Sequence, residues 1–296
     1  MSPQKGEQRL ELSPIVAGLW RIVDWKLDVQ ERVRWIEQAL ELGINSFDHA
    51  DIYGDYRAES LFGEALQAAP ALRDRMQLIT KCGIRLRSAQ RPYRINYYDT
   101  DAGYIRAQVE QSLRNLHVEQ LDLVLIHRPD YLMNANALAE TFATLTHEGK
   151  VAHWGVSNHS RSQFELLHQQ HPLLTNQLEL SPLQLDALDD GTLDQAQQLG
   201  LRPMIWSPLA GGRLFTGEDE QAQRVRAEMS AIATRCNIGL TTLAFAWILR
   251  HPSRPHPITG TGRIDGLRDA VAALEVKLDA EDWYGIWAAS KGHGVP

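Results

Sequence analysis

Short apolar runs alternate with amphipathic stretches along almost the whole chain. Val29, Val33, Ile36 and Leu40 recur at helical spacing, which predicts a helix with one buried face. Asp28 and Glu31 stand in capping-box positions at its start, Asp replacing the usual Ser or Thr, and Gly43 sits where a helix-ending glycine belongs. The stretch from Ile44 to Asp48 follows at once and has the length of a strand. The unit then returns. Leu61, Phe62, Ala65 and Leu66 line a helix before a strand over 76–81. Asp101 caps a helix with Ile105, Val109, Leu113 and Leu116 on one face, ahead of a strand over 121–127. Leu138, Phe142 and Leu145 lead through Gly149 to a strand over 152–156, and Phe164 to His168 leads to 173–177. Leu193, Ala196 and Leu199, closed by Gly200, lead to 202–206. One longer helical region over about 220–250 precedes 256–258, and the next helix carries Leu267, Val271 and Leu274. The segment from Asp279 to Trp287 reads as a closing helix.

With Ile15 to Leu19 as the first strand, eight strands alternate with helices. Strict alternation predicts a parallel sheet, and eight units in this length predict an α/β fold of the (β/α)8 TIM barrel type. Long βα loops would lie at its C-terminal face, with a C-terminal helix outside. An open doubly wound sheet would need a GxGxxG after an early strand, which Gly18-Leu19-Trp20 does not provide. No linker or low-complexity stretch divides the chain, so residues 1–296 are expected to form a single barrel domain.

Composition narrows the function. The chain is 44% hydrophobic and 23% charged, as in ordinary globular proteins. A net charge of −7 argues against nucleic acid as a partner, because such binding rests on neutralising phosphates. Cys82 and Cys236 form neither a CxxC pair nor a disulfide framework, so a reducing cytoplasm is the expected location. The run Met1 to Glu7 lacks the apolar core of a signal peptide. The longest nearly apolar run, Leu240 to Leu249, is half of what a membrane crossing needs, so no membrane association is expected.

Active sites of such barrels are built at the carboxyl ends of the strands. The polar residues predicted there are Asp48, with Tyr53 in the following loop, then Lys81, His127, Ser157, Asn158, Asn176, Gln177, Ser207 and Thr261. Asp, Tyr, Lys and His at one mouth form an acid–base set. A free phenol titrates near about 10. A neighbouring ammonium favours the phenolate, so Lys81 is expected to lower the Tyr53 pKa. Asp48 would hold Lys81 charged, and His127 would orient a substrate oxygen. Tyr53 is then a general acid toward a carbonyl oxygen while a hydride reaches carbon.

The stretch Phe47-Asp48-His49-Ala50-Asp51-Ile52-Tyr53-Gly54, followed by Glu59-Ser60-Leu61-Phe62-Gly63, resembles the D-x-A-x-x-Y…E-x-x-[IL]-G signature of the aldo-keto reductase superfamily. Ile79-Thr80-Lys81 resembles its catalytic-lysine strand and Leu125-Ile126-His127 its catalytic-histidine strand. Gly149-Lys150-Val151 through Gly155-Val156-Ser157-Asn158, then Trp206-Ser207-Pro208-Leu209 and Ile258-Thr259-Gly260-Thr261, match further segments in order. Lys81-Cys82-Gly83-Ile84 and His127-Arg128-Pro129-Asp130 are most similar to the bacterial YdhF-type oxidoreductase branch.

The resemblance implies an NADP-dependent oxidoreductase that reduces a small-molecule aldehyde or ketone. Asp48, Tyr53, Lys81 and His127 would be the catalytic tetrad, with Tyr53 as proton donor. Ser157, Asn158 and Gln177 would hold the nicotinamide carboxamide, and Trp206 would stack beneath the ring. Ser207 and Pro208, and then Leu209 to Arg213 with Gly211 and Gly212, would follow the cofactor along its pyrophosphate. Gly260, Thr261, Gly262 and Arg263 would bind the adenosine end, with Arg263 on the 2′-phosphate, which favours NADPH over NADH. Asp269-Ala270 stands where the family often has Glu-Asn, so only Asp269, with Arg268 beside it, would contact the adenine. Gly260-Thr261-Gly262 also departs from members with a lysine there.

Trp20, Trp25 and Tyr131, with Trp154, are candidate aromatic walls of the substrate pocket, at least one of them being core. Trp35 and Trp247 are expected in the core. No metal site is expected: His49 and Asp51 lack a third ligand at a sensible spacing. Cys82 is expected to be a small buried residue, a redox role being the alternative. The Arg85 to Asp99 segment is either a loop packed by its own aromatics or a lid over the nicotinamide end. Two rival functions stay open: a cofactor-sensing regulatory or interaction protein on the same fold, and Schiff-base chemistry at Lys81. The physiological carbonyl and the oligomeric state are not legible.

Overall fold

The computed structural model describes residues 10–89 and 91–295. The Met1 to Glu7 run and Gln90 of the 85–99 segment lie outside the described residues. Among the described residues, ten strands run in chain order. They are β1 (Val16–Gly18), β2 (Ser46–Asp48), β3 (Gln77–Cys82), β4 (Ile84–Arg85), β5 (Tyr97–Tyr98), β6 (Leu121–Ile126), β7 (Val151–Ser157), β8 (Asn176–Glu179), β9 (Met204–Trp206) and β10 (His256–Thr259). Eight of them close a parallel barrel in the order β1-β10-β9-β8-β7-β6-β3-β2. The remaining pair, β4 and β5, forms an antiparallel hairpin with Ile84 opposite Tyr98. The (β/α)8 barrel expected from the sequence is the observed fold.

The helices are α1 (Val29–Glu41), the single turn α2 (Tyr53–Tyr56), α3 (Ala58–Ala68), α4 (Ala102–Leu116), α5 (Ala135–His147) and α6 (Arg161–His168). They continue as the short α7 (Asp186–Asp189), α8 (Thr192–Leu199), the short α9 (Arg213–Thr216), α10 (Glu220–Cys236), α11 (Leu240–Leu249), α12 (Ile264–Ala272) and α13 (Ala280–Lys291). Helix α1 starts on the complete Asp28–Glu31 capping box, and the Asp101 side chain caps α4. The helical region expected over about 220–250 consists of two helices, α10 and α11, which meet at a bend of 96°. The break falls where Asn237 takes a left-handed conformation, φ 54°, that ends α10. No single helix among the described residues is long and apolar enough to cross a membrane.

Strand alternation divides the apolar residues into two layers. Ala17, Phe47, Leu78, Val124 and Ile126 point outward into the layer between barrel and helices. Val16, Ile79, Leu123, Leu125, Met204 and Ile258 fill the barrel interior. Two residues above Ile79 on the same face is Lys81, and two above Leu125 is His127. The inward row therefore turns from apolar to ionisable at the carboxyl end of the barrel. Trp35 and Trp247 are buried, as expected. Trp154 is core and not a pocket wall: it lies parallel to Phe142 with ring centroids 4.0 Å apart. Helix α13 closes against α10 and α11, where Trp283 stacks on Trp247 and each indole N–H donates to the other's carbonyl.

Candidate active site

Barrel register sets Asp48 beside Ile79 and Lys81 beside Leu125, which brings the side chains of β2, β3 and β6 to one mouth. Lys81 is fully buried, and its ammonium donates to Asp48 Oδ2 at 2.7 Å, His49 O at 2.8 Å and Tyr53 Oη at 3.1 Å. All three of its protons are thereby used. His127 sits against Tyr53, edge to face at 5.8 Å between ring centroids, and its Nδ1 is buried without a partner. The four residues of the expected tetrad are therefore together.

Their electrostatics follow from burial. Burial alone would lower the Lys81 pKa, but Asp48 and Tyr53 outweigh it and hold the ammonium above its ordinary value. Burial pushes Asp48 upward against the pull of Lys81 and Gln177. The Tyr53 phenol is raised and not lowered. Lys81 does pull it down, as expected, but desolvation of the phenolate is the larger effect and Asp48 adds to it. Tyr53 consequently carries its proton in the resting site. His127 is held well below its usual value by burial first, then by Lys81 and Arg128, so its imidazole is neutral.

A cavity of about 610 Å³ opens above these residues, within the size range of small-molecule sites. Asp48, Tyr53 and His127 line its floor, and Ser157, Asn158, Gln177, Trp206, Ser207, Pro208, Leu209, Gly211, Gly212, Gly260 and Thr261 line its walls, as does Trp20 at the rim. The polar wall is internally connected. Trp206 Nε1 donates to Asn158 Oδ1 at 3.0 Å, Asn158 Nδ2 to Ser157 Oγ at 2.8 Å, and Ser157 Oγ to the Gln177 carbonyl at 3.0 Å. Gln177 Nε2 then donates to Asp48 Oδ1 at 3.0 Å, tying the wall to the tetrad. Sequence alone offered no signal for that last link, since the two residues lie 129 positions apart.

Several expected residues lie elsewhere. Arg213 turns away to pair with Asp219 at 2.6 Å. Gly262 is packed on the ring of Trp25, which itself lies 4.8 Å from Trp35, so Trp25 supports the wall from behind. Tyr131 is 87% exposed and outside the cavity lining. Arg263 is exposed at the start of α12, Arg268 pairs with Asp265, and Asp269 is exposed with its carbonyl accepting from Thr242. Ile52, Ile84, Leu86, Arg21 and Arg128 also line the cavity. Among the described residues no group of three potential metal ligands occurs.

The segment following Tyr53 is strained. Gly54, Asp55 and Tyr56 all have positive φ, at 58°, 56° and 63°, a left-handed run that L-residues resist. Tyr56 Oη holds it by accepting from Leu86 N and donating to Leu86 O, each at 3.0 Å, while Arg91 covers its ring at 3.8 Å. The β4–β5 hairpin thus braces the turn that begins at Tyr53.

This barrel with a Tyr–Lys–Asp–His mouth is the arrangement of an oxidoreductase family. The aldo/keto reductase family model matches residues 14–291, and the chain belongs to that family. It is 47% identical to oxidoreductase YdhF of Escherichia coli strain K12, over 97% of this chain and 96% of that one. It is 40% identical to a 6-dehydroglucose reductase of Agrobacterium fabrum, covering 97% of both. A glycerol dehydrogenase of Gluconobacter oxydans, AKR11B4, shares the fold with a TM-score of 0.83 at 24% identity, covering 95% of this chain and 92% of its own.

Proposed function

We propose that this chain, acting as one domain, reduces an aldehyde or ketone to the alcohol with NADPH, and that Tyr53 delivers the proton. The observation that carries the reading is the Lys81 ammonium, held by Asp48 and the His49 carbonyl while its third proton reaches the Tyr53 hydroxyl. A phenol so placed keeps its proton until a more basic oxygen arrives. As negative charge grows on the substrate oxygen, the Tyr53 proton passes to it, and the phenolate left behind is stabilised by Lys81. Neutral His127 donates a hydrogen bond to the same oxygen and orients it. Solvent restores the Tyr53 proton after the alcohol leaves.

A bound reduced nicotinamide would supply the hydride. The chain suits such a group. A Cβ at Gly211, Gly212 or Gly260 would meet nothing within 4 Å, so these glycines form an open backbone cradle and not a packed turn. Ser157, Asn158 and Gln177 would hold the carboxamide, with the Trp206 ring against the nicotinamide. Leu209 to Gly212 would follow the pyrophosphate, and Gly260 and Thr261 the adenosine. Exposed Arg263 at the head of α12 suits a 2′-phosphate, which supports NADPH over NADH. The relatives named as reductases support the direction of reaction.

The test is Tyr53→Phe. We expect kcat/KM for aldehydes to fall by roughly 10²–10⁴-fold, with NADPH binding, followed by tryptophan fluorescence, nearly intact. A variant that keeps most of its rate removes Tyr53 as the acid. NADPH binding by the wild type without turnover of any carbonyl would favour a cofactor-sensing interaction protein.

A further inference from the structure

One charged group on the cavity wall has no task in the reduction described above. Arg128 follows His127 directly and lines the cavity, half-buried, with its guanidinium 5.4 Å from the centroid of the Trp206 ring. No carboxylate among the described residues lies within ion-pairing distance of it. Glu179, at the carboxyl end of β8, is near enough to feel its charge but forms no salt bridge with it. Its field reaches both Tyr53 and His127, which places it at the carbonyl end of the cavity and not at the adenosine end.

The segment carrying Arg128 is held rigid. Pro129 confines the Arg128 backbone to extended conformations. Asp130 then accepts from Thr100 N at 3.1 Å, Thr100 Oγ1 at 2.7 Å and Leu132 N at 2.9 Å, pinning the loop. The charged groups of the wall set the sign of what fits. Asp48 is matched by Lys81 and His127 is neutral, which leaves Arg128 inside and Arg21 at the exposed rim. On a chain of net charge −7, a cationic patch that forms no salt bridge beside the reacting groups is a local feature and not a result of composition. A half-buried guanidinium with no salt bridge is free to take an anionic partner, and its planar fork matches a carboxylate with two parallel hydrogen bonds.

We propose that Arg128 is a specificity-determining anion subsite, and that the substrates of this site are carbonyl compounds bearing a carboxylate a few bonds from the reacting carbon. The proposal rests on the reductase reading and names its substrate class. With the carboxylate on Arg128, the carbonyl oxygen of such a molecule is directed toward Tyr53 and His127.

The experiment compares kcat/KM with NADPH for 4-oxobutanoate and glyoxylate against their methyl esters, which keep the carbonyl and remove the charge. We expect the wild type to favour the acids by at least about ten-fold. In Arg128→Gln the acid-to-ester ratio should collapse by roughly 10- to 100-fold, mostly through KM for the acid. Arg128→Lys should recover some of it. The wild-type ratio needs no variant and stands if a variant fails to fold. Esters turned over as well as acids, or an Arg128→Gln that slows both by one factor, overturns the subsite. Glyceraldehyde outrunning both also overturns it, in favour of hydroxyl recognition. No turnover of any carbonyl removes the reductase reading, a distinct result from turnover without charge preference.

Discussion

Lys81 is a buried cation whose three donors end on three acceptors, and it shows how narrowly the site is balanced at the level of single residues. Its removal leaves Asp48 in the barrel with only Gln177 for a partner. We expect Lys81→Met to destabilise the fold by about 3–5 kcal/mol, because an uncompensated buried carboxylate is costlier than a buried pair. Urea unfolding checks this, and Lys81→Met combined with Asp48→Asn should recover much of the loss. A single variant as stable as the wild type would mean that Asp48 is already protonated. Beside Lys81, burial pushes the Cys82 thiol well up, with Asp51 and Glu59 adding to the effect. A thiol so seldom ionised is a poor nucleophile, which disfavours the redox alternative.

Individual elements explain how the mouth is held. The Arg85 to Asp99 segment packs on its own aromatics, Tyr93 edge-on to Tyr97 with Arg85 beside both rings; its two ends pair as β4 and β5, Arg85 binds Asp99, and Ile84 and Leu86 line the cavity. Its grip on Tyr56 keeps the left-handed turn in place and with it the start of α2, where Tyr53 sits. Helix α3 is fixed by contact: a Cβ on Gly63 would lie 1.9 Å from the Asn115 carbonyl of α4. From α3, Glu59 reaches Thr80 Oγ1 at 2.6 Å and Asn115 Nδ2 at 3.0 Å, locking the helix to β3 beside Lys81. Gly63→Ala must therefore push α3 and α4 apart, and we expect a loss of about 1–3 kcal/mol. A lower thermal midpoint would show it; an unchanged midpoint would mean that α3 and α4 separate freely.

At the scale of the whole molecule, stability depends on buried neutral histidines. Burial lowers His49 to about 3, and His159 and His256 to about 4. Their folded values lie below the unfolded one, near about 6.5. Protonation therefore favours unfolding, and their contribution is complete above that value and lost as pH falls toward 4. Asp51 and Glu59, raised by burial, act in the opposite sense and contribute less as pH rises. A variant isolates one histidine from this sum. The stability advantage of wild type over His256→Asn should shrink by about 1.4 kcal/mol per pH unit below 6.5. Denaturant unfolding at pH 7 and pH 4.5 measures it. An advantage independent of pH would show that His256 takes up its proton in the folded protein as readily as in the unfolded one.

Much of the architecture was written in linear order. The alternation of 3.6-residue periods with short apolar runs specified eight βα units, because each helix needs one apolar stripe and each barrel strand is covered on both faces. The Asp28 box and the Asp101 cap were legible because a cap depends on residues three positions apart. The tetrad candidates were legible because strand ends in a barrel share one face. Three-dimensional packing alone decided the rest. The Gln177–Asp48 bond joins positions distant in the chain, and Trp25 turned from pocket wall to support by pressing on Gly262. The rise in the Tyr53 pKa, against the pull of Lys81, required knowing how far the barrel mouth desolvates the phenol. Local pattern follows from covalent neighbours and periodicity, whereas desolvation and the placing of a charge without a salt bridge, as at Arg128, exist only once the chain has closed around them.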